Sequence, residues 1–405
     1  MTSLLDLPPE IFDYIIDLLR NERGAVKNCC TLSKWLVPLI QRHIYSDITI
    51  KNSLKLKRWL ETFPDFAKSP TYHTRSLRIC SVEYLTDNDP TESRWIQSFT
   101  NVVQLEVQNN RTNEEHDMNK SLVHFHTLSS VKSLRVAFSF FRMSEVFKLI
   151  CSLPLLENLD ISHIWIWGCV RDDINELGAG FRPQGLLPLT GTLVLSGGQL
   201  KHVTRLLLAL PRGLHFHKIV WKGPLPEGLG GVMILVEKCC NTLEYFYFER
   251  PPSGESLGPF GPCNEFDIWR GPDHLFTRSI DLSKATKLKE VSFSYVRLPW
   301  PTPVAWITAA LKSITREHQA LQQISIHFKQ GSGGLEYGWL ETGERHQQWR
   351  KIEYTTLVQL CESHGCRMKV VYHDCSWKRE SPIKQRLQAF TDALLREMRD
   401  ERLID

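Results

Sequence analysis

The residue types best suited to chemistry gather near the C-terminal end: Cys361, His364, Cys366, His373 and Cys375. Thiolate and imidazole are ligands that zinc takes. Structural zinc sites bring such ligands in characteristic short spacings, and the spacing here fits no common one. The same stretch has a simpler local reading. Leu360-Cys361-Glu362-Ser363-His364-Gly365 is expected to end a helix, with Gly365 just past it, before a strand over Met368–Tyr372. No metal is therefore expected. The adjacent pairs Cys29-Cys30 and Cys239-Cys240 read as small buried apolar residues. There is no phosphate-binding glycine loop, no dinucleotide fingerprint and no nucleophile elbow. Scattered serines, histidines and aspartates have nothing in the sequence to assemble them into a triad. The run Lys55, Lys57, Arg58 reads as a solvated face. No catalytic site and no cofactor are legible in these residues, and an enzyme would need a site the sequence hides.

Composition narrows the classes further. At 405 residues the chain exceeds one ordinary core, so two domains or an elongated array are expected. A net charge of +4, from 49 basic and 45 acidic residues, gives no support for nucleic-acid binding. Eleven cysteines in no regular framework, with no secretory signal pattern, favour reduced thiols in the cytoplasm or nucleus. No apolar run approaches the roughly 20 residues that span a bilayer.

The elements that would position side chains recur. Short cores with two apolar residues around a variable one appear at Leu77-Arg78-Ile79, Leu105-Glu106-Val107, Leu134-Arg135-Val136 and Leu159-Asp160-Ile161. The series continues at Leu193-Val194-Leu195, Ile219-Val220-Trp221, Tyr245–Phe248, Val291-Ser292-Phe293, Ile324-Ser325-Ile326 and Lys369–Tyr372. The early cores start 28, 29 and 25 positions apart, near the spacing of leucine-rich repeats. Between them lie helical patterns over Ser144–Leu153, Gln199–Leu210, Gly231–Cys240, Val304–His318 and Ile352–Gly365. The expected fold class is α/β, with alternating strands and helices. An irregular leucine-rich-repeat solenoid and a compact α/β domain both fit this pattern. Trp165–Pro188, Glu249–Pro272 and Gln330–Arg345 interrupt the rhythm, as ligand-contacting loops or as surface insertions. Ser381-Pro382 opens a last amphipathic stretch with Ile383, Leu387, Phe390, Leu394 and Met398 on one face. It reads as a cap over the last repeat or as a partner-binding helix.

Residues 5–45 read as two or three short helices. Pro8 and Pro9 suit a helix start, and Glu10 lies in a first turn that favours an anion. Ile11, Ile15, Leu18 and Leu19 follow at helical spacing, widened by Phe12 and Ile16. Val26, Cys29, Leu32, Trp35, Leu36 and Leu39 form a second pattern. So small a unit either docks on the rest of the chain or is completed by a partner.

Leu7-Pro8-Pro9-Glu10-Ile11, Ile15-Ile16, Leu18-Leu19 and then Cys30–Trp35 resemble the F-box. In the second block Lys34 directly precedes Trp35, one residue short of the family pattern. The resemblance covers about the first 50 residues at motif level. It implies an F-box over residues 1–50, a leucine-rich-repeat solenoid over 51–380 and a capping helix over 381–405. It further implies a substrate receptor of an SCF-type (Skp–cullin–F-box) ubiquitin ligase. Leu7, Pro8, Ile11, Ile15, Leu19, Leu32 and Trp35 would bind a Skp-type adaptor, and through it a cullin. Gln104, Glu106, Arg135, Asp160, Ser292, Ser325 and His327 would face a protein target from the strands. An F-box scaffold acting outside any ligase is the alternative.

Overall fold

The computed structural model describes residues 8–19, 22–29, 31, 34, 36–65, 68–80, 92–108, 123–167, 185–197, 200–222, 229–249, 280–298, 303–330, 359–360 and 362–373. By contacts the chain divides into two compact units. One comprises Met1–Asp160 and Ile164–Leu187, the other Ile161–His163 and Pro188–Asp405.

The first unit opens with helices α1 (Pro9–Leu18), α2 (Arg23–Cys29) and α3 (Leu36–Ile44). Pro9 stands at the first helical position, where no amide partner is lost. Phe12 and Ile16 of α1, one turn apart, close a small core with Val26, Leu36 and Ile40. Leu19, Cys29, Leu39 and Ile44 pack around it, half-buried. Asp13 ties α1 to α3 through His43 Nε2 at 3.1 Å and Arg42 Nη1 at 3.6 Å. Strand β1 (Asp47–Ile50) follows, then helix α4 (Ser53–Thr62), whose first turn is capped by Asn52 Oδ1 accepting from the Lys55 amide at 2.9 Å.

Strands β1, β2 (Ser76–Ile79), β3 (Gln104–Gln108) and β4 (Ser133–Arg142) lie side by side in chain order, all parallel. Ile48, Leu77, Leu105 and Leu134 are register partners and are all buried. Ile50, Ile79, Val107 and Val136 form the parallel row two residues on. Alternation along each strand sends the residue between to the opposite face. The entry to each strand repeats one backbone device. The Val103 and Gln104 amides share the Arg75 carbonyl, those of Lys132 and Ser133 share that of Val103, and those of Glu157 and Asn158 share that of Lys132. A 3-10 turn at Glu92–Ser98 precedes β3, another at Val123–Thr127 precedes β4, and helix α5 (Met143–Cys151) follows β4, before strand β5 (Asn158–Trp167).

The second unit repeats the plan. Strands β6 (Thr192–Ser196), β7 (Lys218–Lys222), β8 (Tyr245–Glu249), β9 (Glu290–Leu298), β10 (Gln323–Gln330) and β11 (Arg367–His373) run parallel in chain order. Helix α6 (Leu200–Leu208) follows β6, α7 (Leu229–Cys239) follows β7, and α8 (Pro303–Lys312) follows β9. Its inward rows are heavier: Trp221, Phe248 and Phe293 are register partners and are all buried. The shared-carbonyl entry recurs at His217, Glu244 and Lys289.

The expected α/β class and strand–helix alternation are what the described residues show. The expected helix over Val304–His318 stops at Lys312. Ser313 Oγ there donates to the Ala310 carbonyl, and the Leu282 amide donates to Ser313 Oγ. Such side-chain bonds compete with further helix. His318 is instead buried in a turn, its Nε2 2.9 Å from the Leu282 carbonyl. Residues 359–360 and 362–364 are helical, and Gly365 follows with φ +60°, as its expected place past a helix end requires. The capping stretch 381–405 lies outside the described residues, as do 168–184 of the interruption Trp165–Pro188, 250–272 of Glu249–Pro272 and 331–345 of Gln330–Arg345; the first starts later than expected, since β5 runs to Trp167.

Candidate functional site

Helix α1 has more apolar surface than its own core uses. Phe12 and Ile16 point inward, while Ile11, Tyr14 and Leu18 leave 47%, 64% and 66% of their surfaces in water. Positions three and four apart share a helix face, so these side chains form one outward stripe. Ile15 borders it, half-buried, and Pro8 is exposed at its start. Burying one large apolar side chain is worth about 1.5–3 kcal/mol. The stripe therefore holds several kcal/mol for whatever covers it.

The expected adaptor contacts separate on this geometry. Pro8 and Ile11 are outward, and Ile15 is partly so. Leu19 packs on the internal core. Leu7, Leu32 and Trp35 lie outside the described residues. Tyr14 and Leu18 join the stripe without being among the expected contacts. Their signal is in the composition of α1, where only Glu10, Asp13 and Asp17 are charged. That leaves an apolar arc too wide for one core.

On the strand face of the first unit, cross-strand partners alternate in charge. Arg78 Nε lies 2.7 Å from Glu106 Oε2, and Arg135 Nη1 lies 3.9 Å from the same oxygen. Arg135 Nε reaches Asp160 Oδ2 at 3.3 Å. Gln108 Nε2 donates to Glu106 Oε1 at 2.6 Å. Glu106, Arg135 and Asp160 are thus brought together, and Gln104 stands exposed at the start of β3. Arg78 completes the row. It is not among the expected target contacts, although it is the central residue of its own strand core. Exposed pairs of this kind are each worth about 0–1 kcal/mol. Their use is to give the face a fixed charge pattern.

The second unit's strand face carries a hydrogen-bonded cluster. Tyr247 Oη donates to Glu290 Oε2 at 3.0 Å, and Gln323 Nε2 donates to Glu290 Oε1 at 3.0 Å. Gln323 Nε2 also lies 2.8 Å from Ser325 Oγ, which donates to Glu290 Oε1 at 3.3 Å. Lys218 Nζ sits 4.7 Å from the Tyr247 ring centroid, a cation–π distance. Burial, and then the bond to Glu290, push the Tyr247 phenol above the ordinary tyrosine range. Ser292 and Ser325, expected to face a target, are both 1% exposed. Tyr247, in the same cross-strand row, is far larger than either serine, and their side chains lie below the surface of the cluster. His327 is half-buried and already engaged. Tyr247, Glu290 and Gln323 are not legible as a group in the sequence, because β8 to β10 are far apart in the chain.

Among the described residues no three metal-ligating side chains converge. His364 has Nδ1 3.1 Å from the Leu360 carbonyl and Nε2 2.8 Å from that of Thr315. Cys366 is buried beside the Leu360 carbonyl. Cys361 and Cys375 lie outside the described residues, as does the His373 side chain. Cys239 is buried, which pushes its thiol up to about 11. No described helix is long and apolar enough to cross a membrane. What these faces offer is shaped, charged and apolar surface for binding. Neither a protein-family model nor a curated protein matches the chain.

Proposed function

We propose that the chain is the substrate-recognition subunit of an SCF-type ubiquitin ligase. In this reading residues 1–50 form an F-box, 51–380 an irregular leucine-rich-repeat solenoid and 381–405 its cap. The observation that carries it is the second apolar stripe of α1. Ile11, Tyr14 and Leu18 remain in water although Phe12 and Ile16 already close the helix onto its own core. A Skp-type adaptor would cover that stripe together with Pro8 and Ile15, with Leu7, Leu32 and Trp35 extending the contact. The F-box resemblance of the same segment supports the choice of partner. The parallel strands in chain order within each unit support a repeat body whose strand face holds a protein target.

The mechanism is positional. The adaptor joins the chain to a cullin, and the strand face holds a target near a separately recruited ubiquitin-loaded enzyme. Raising the effective concentration of target lysines directs transfer with no reacting group on this chain. Such a ligase works in the cytoplasm or nucleus.

The test is co-expression with a Skp-type adaptor. The wild-type chain should co-purify with it, and Ile11→Asp with Leu18→Asp should reduce affinity by at least about 100-fold. Unchanged adaptor binding in that variant would remove the F-box reading. A complex that holds adaptor but neither recruits a cullin nor supports ubiquitin transfer to a bound protein would identify a scaffold outside any ligase.

A further inference from the structure

Helices α6 and α7 of the second unit meet with unusually little between them. A Cβ at Gly231 would stand 2.6 Å from Thr204 Oγ1, so α7 approaches α6 as closely as a glycine allows. Beside this contact the two helices and the turn Asp281–Ala285 enclose an open groove of about 860 Å³. That is the size of sites that take several side chains of a partner or a drug-sized molecule. Its apolar wall is Leu208, Met233 and Ile234, and Ile234 is 43% exposed.

The charges around the groove are unevenly committed. Both acids are engaged: Glu237 Oε1 holds Lys284 Nζ at 2.8 Å, and Asp281 Oδ1 accepts the Ser283 amide at 2.9 Å. Lys201 and Arg205, one turn apart on α6, are exposed and form no ion pair among the described residues. His202 lies between them. Its pKa is lowered by burial first and then by Arg205 and Lys201. An apolar wall beside cations that pair with no described acid is complementary to a segment with apolar anchors and acidic neighbours.

We propose that this groove docks an acidic amphipathic helix of a partner protein. Its apolar side chains rest on Leu208, Met233 and Ile234, and its carboxylates meet Lys201 and Arg205. The site lies on helices of the second unit, not on its strand face, and does not depend on the ligase reading.

The probe is a synthetic helical peptide with leucines at i, i+3, i+4 and i+7 and glutamates elsewhere. A lysine-for-glutamate version is its control, and both are titrated by fluorescence anisotropy against the full chain. The acidic peptide should bind saturably with a Kd below about 100 µM, and the basic one at least about tenfold more weakly. Lys201→Glu with Arg205→Glu should weaken the acidic peptide at least about tenfold, as should Ile234→Asp. Added salt should weaken it further. Cys240, which lines the groove, should be alkylated more slowly when the peptide is bound, while Cys80 in the first unit is unaffected. Equal binding of both peptides, no saturable binding, or binding unaltered by the charge reversals would overturn the proposal. So would saturation by an aliphatic carboxylate such as decanoate where the peptide fails. The two cations are exposed, so their reversal keeps the test decisive should Ile234→Asp disturb folding, which circular dichroism reports.

Discussion

At the scale of single residues, α1 has one face in its own core and another in water. Phe12 is 2% exposed, and Phe12→Ala should cost about 3–5 kcal/mol of the N-terminal core's stability. Ile11→Asp changes a side chain 47% exposed and should cost only about 1 kcal/mol. Urea denaturation followed by circular dichroism distinguishes the two, and similar losses in both would mean the stripe is not free. His73 offers a pH test. Its Nε2 is buried with no hydrogen-bond partner among the described residues, its ring centroid lies 3.8 Å from that of Tyr72, and burial, then Arg42, lower its pKa. A histidine held neutral in the folded state contributes stability that is full above the unfolded pKa of about 6.5. That contribution is lost as pH falls through the lower folded value. The denaturation midpoint should therefore drop between pH 7.5 and 5.5, and His73→Gln should flatten that part of the profile.

Elements carry the next set of consequences. Gly231→Ala drives a methyl group into Thr204 and should destabilise by about 1–3 kcal/mol. Gly230, its neighbour, has open space for 4 Å around the place a Cβ would take. Gly230→Ala should stabilise by about 0.5–1 kcal/mol through helix propensity alone. Thr204→Ala should recover part of the Gly231→Ala loss, a coupling that calorimetry on the double variant reads directly. The strands are legible in the sequence at this scale because their signal is local: apolar pairs flanking one variable residue. Row partners such as Leu77 and Leu105 follow from matching those cores. The end of α8 is not legible, since Ser313 and Thr315 stop the helix only through bonds to Ala310, Leu282 and His318. Nor is the depth of Ser292 and Ser325, because burial on a strand face depends on the size of the neighbours in other strands.

For the whole molecule, the proposed function requires adaptor binding at α1 and target binding at the strand face to be separable. Ile11→Asp with Leu18→Asp should abolish adaptor co-purification and leave a bound target in place. Arg78→Glu with Arg135→Glu should do the reverse, because it reverses the charge row around Glu106 without touching the helical core. Quantitative mass spectrometry of the purified complexes reads both losses at once. If either variant lost both partners, the two surfaces would not act independently. The N-terminal motif suggests the partner class at this scale, but no residue type on the strand faces names a target. The charge row, the tyrosine cluster and the helix groove each join residues from separate strands and helices, and only the folded arrangement brings them together.

Parallel strands in chain order also bear on how this chain tolerates change. The step between register partners is 26 residues from Thr192 to Lys218 and 45 from Tyr245 to Glu290, yet the inward row of apolar side chains is unbroken. Closing the longer connection costs only about 0.5 kcal/mol more than closing the shorter, since loop entropy grows with the logarithm of length. Within each unit the paired strands are neighbours in the chain, so a lengthened connection has no distant pairing to disturb. Sequence can accumulate between the strands, and new surface with it, while the inward apolar row stays unbroken.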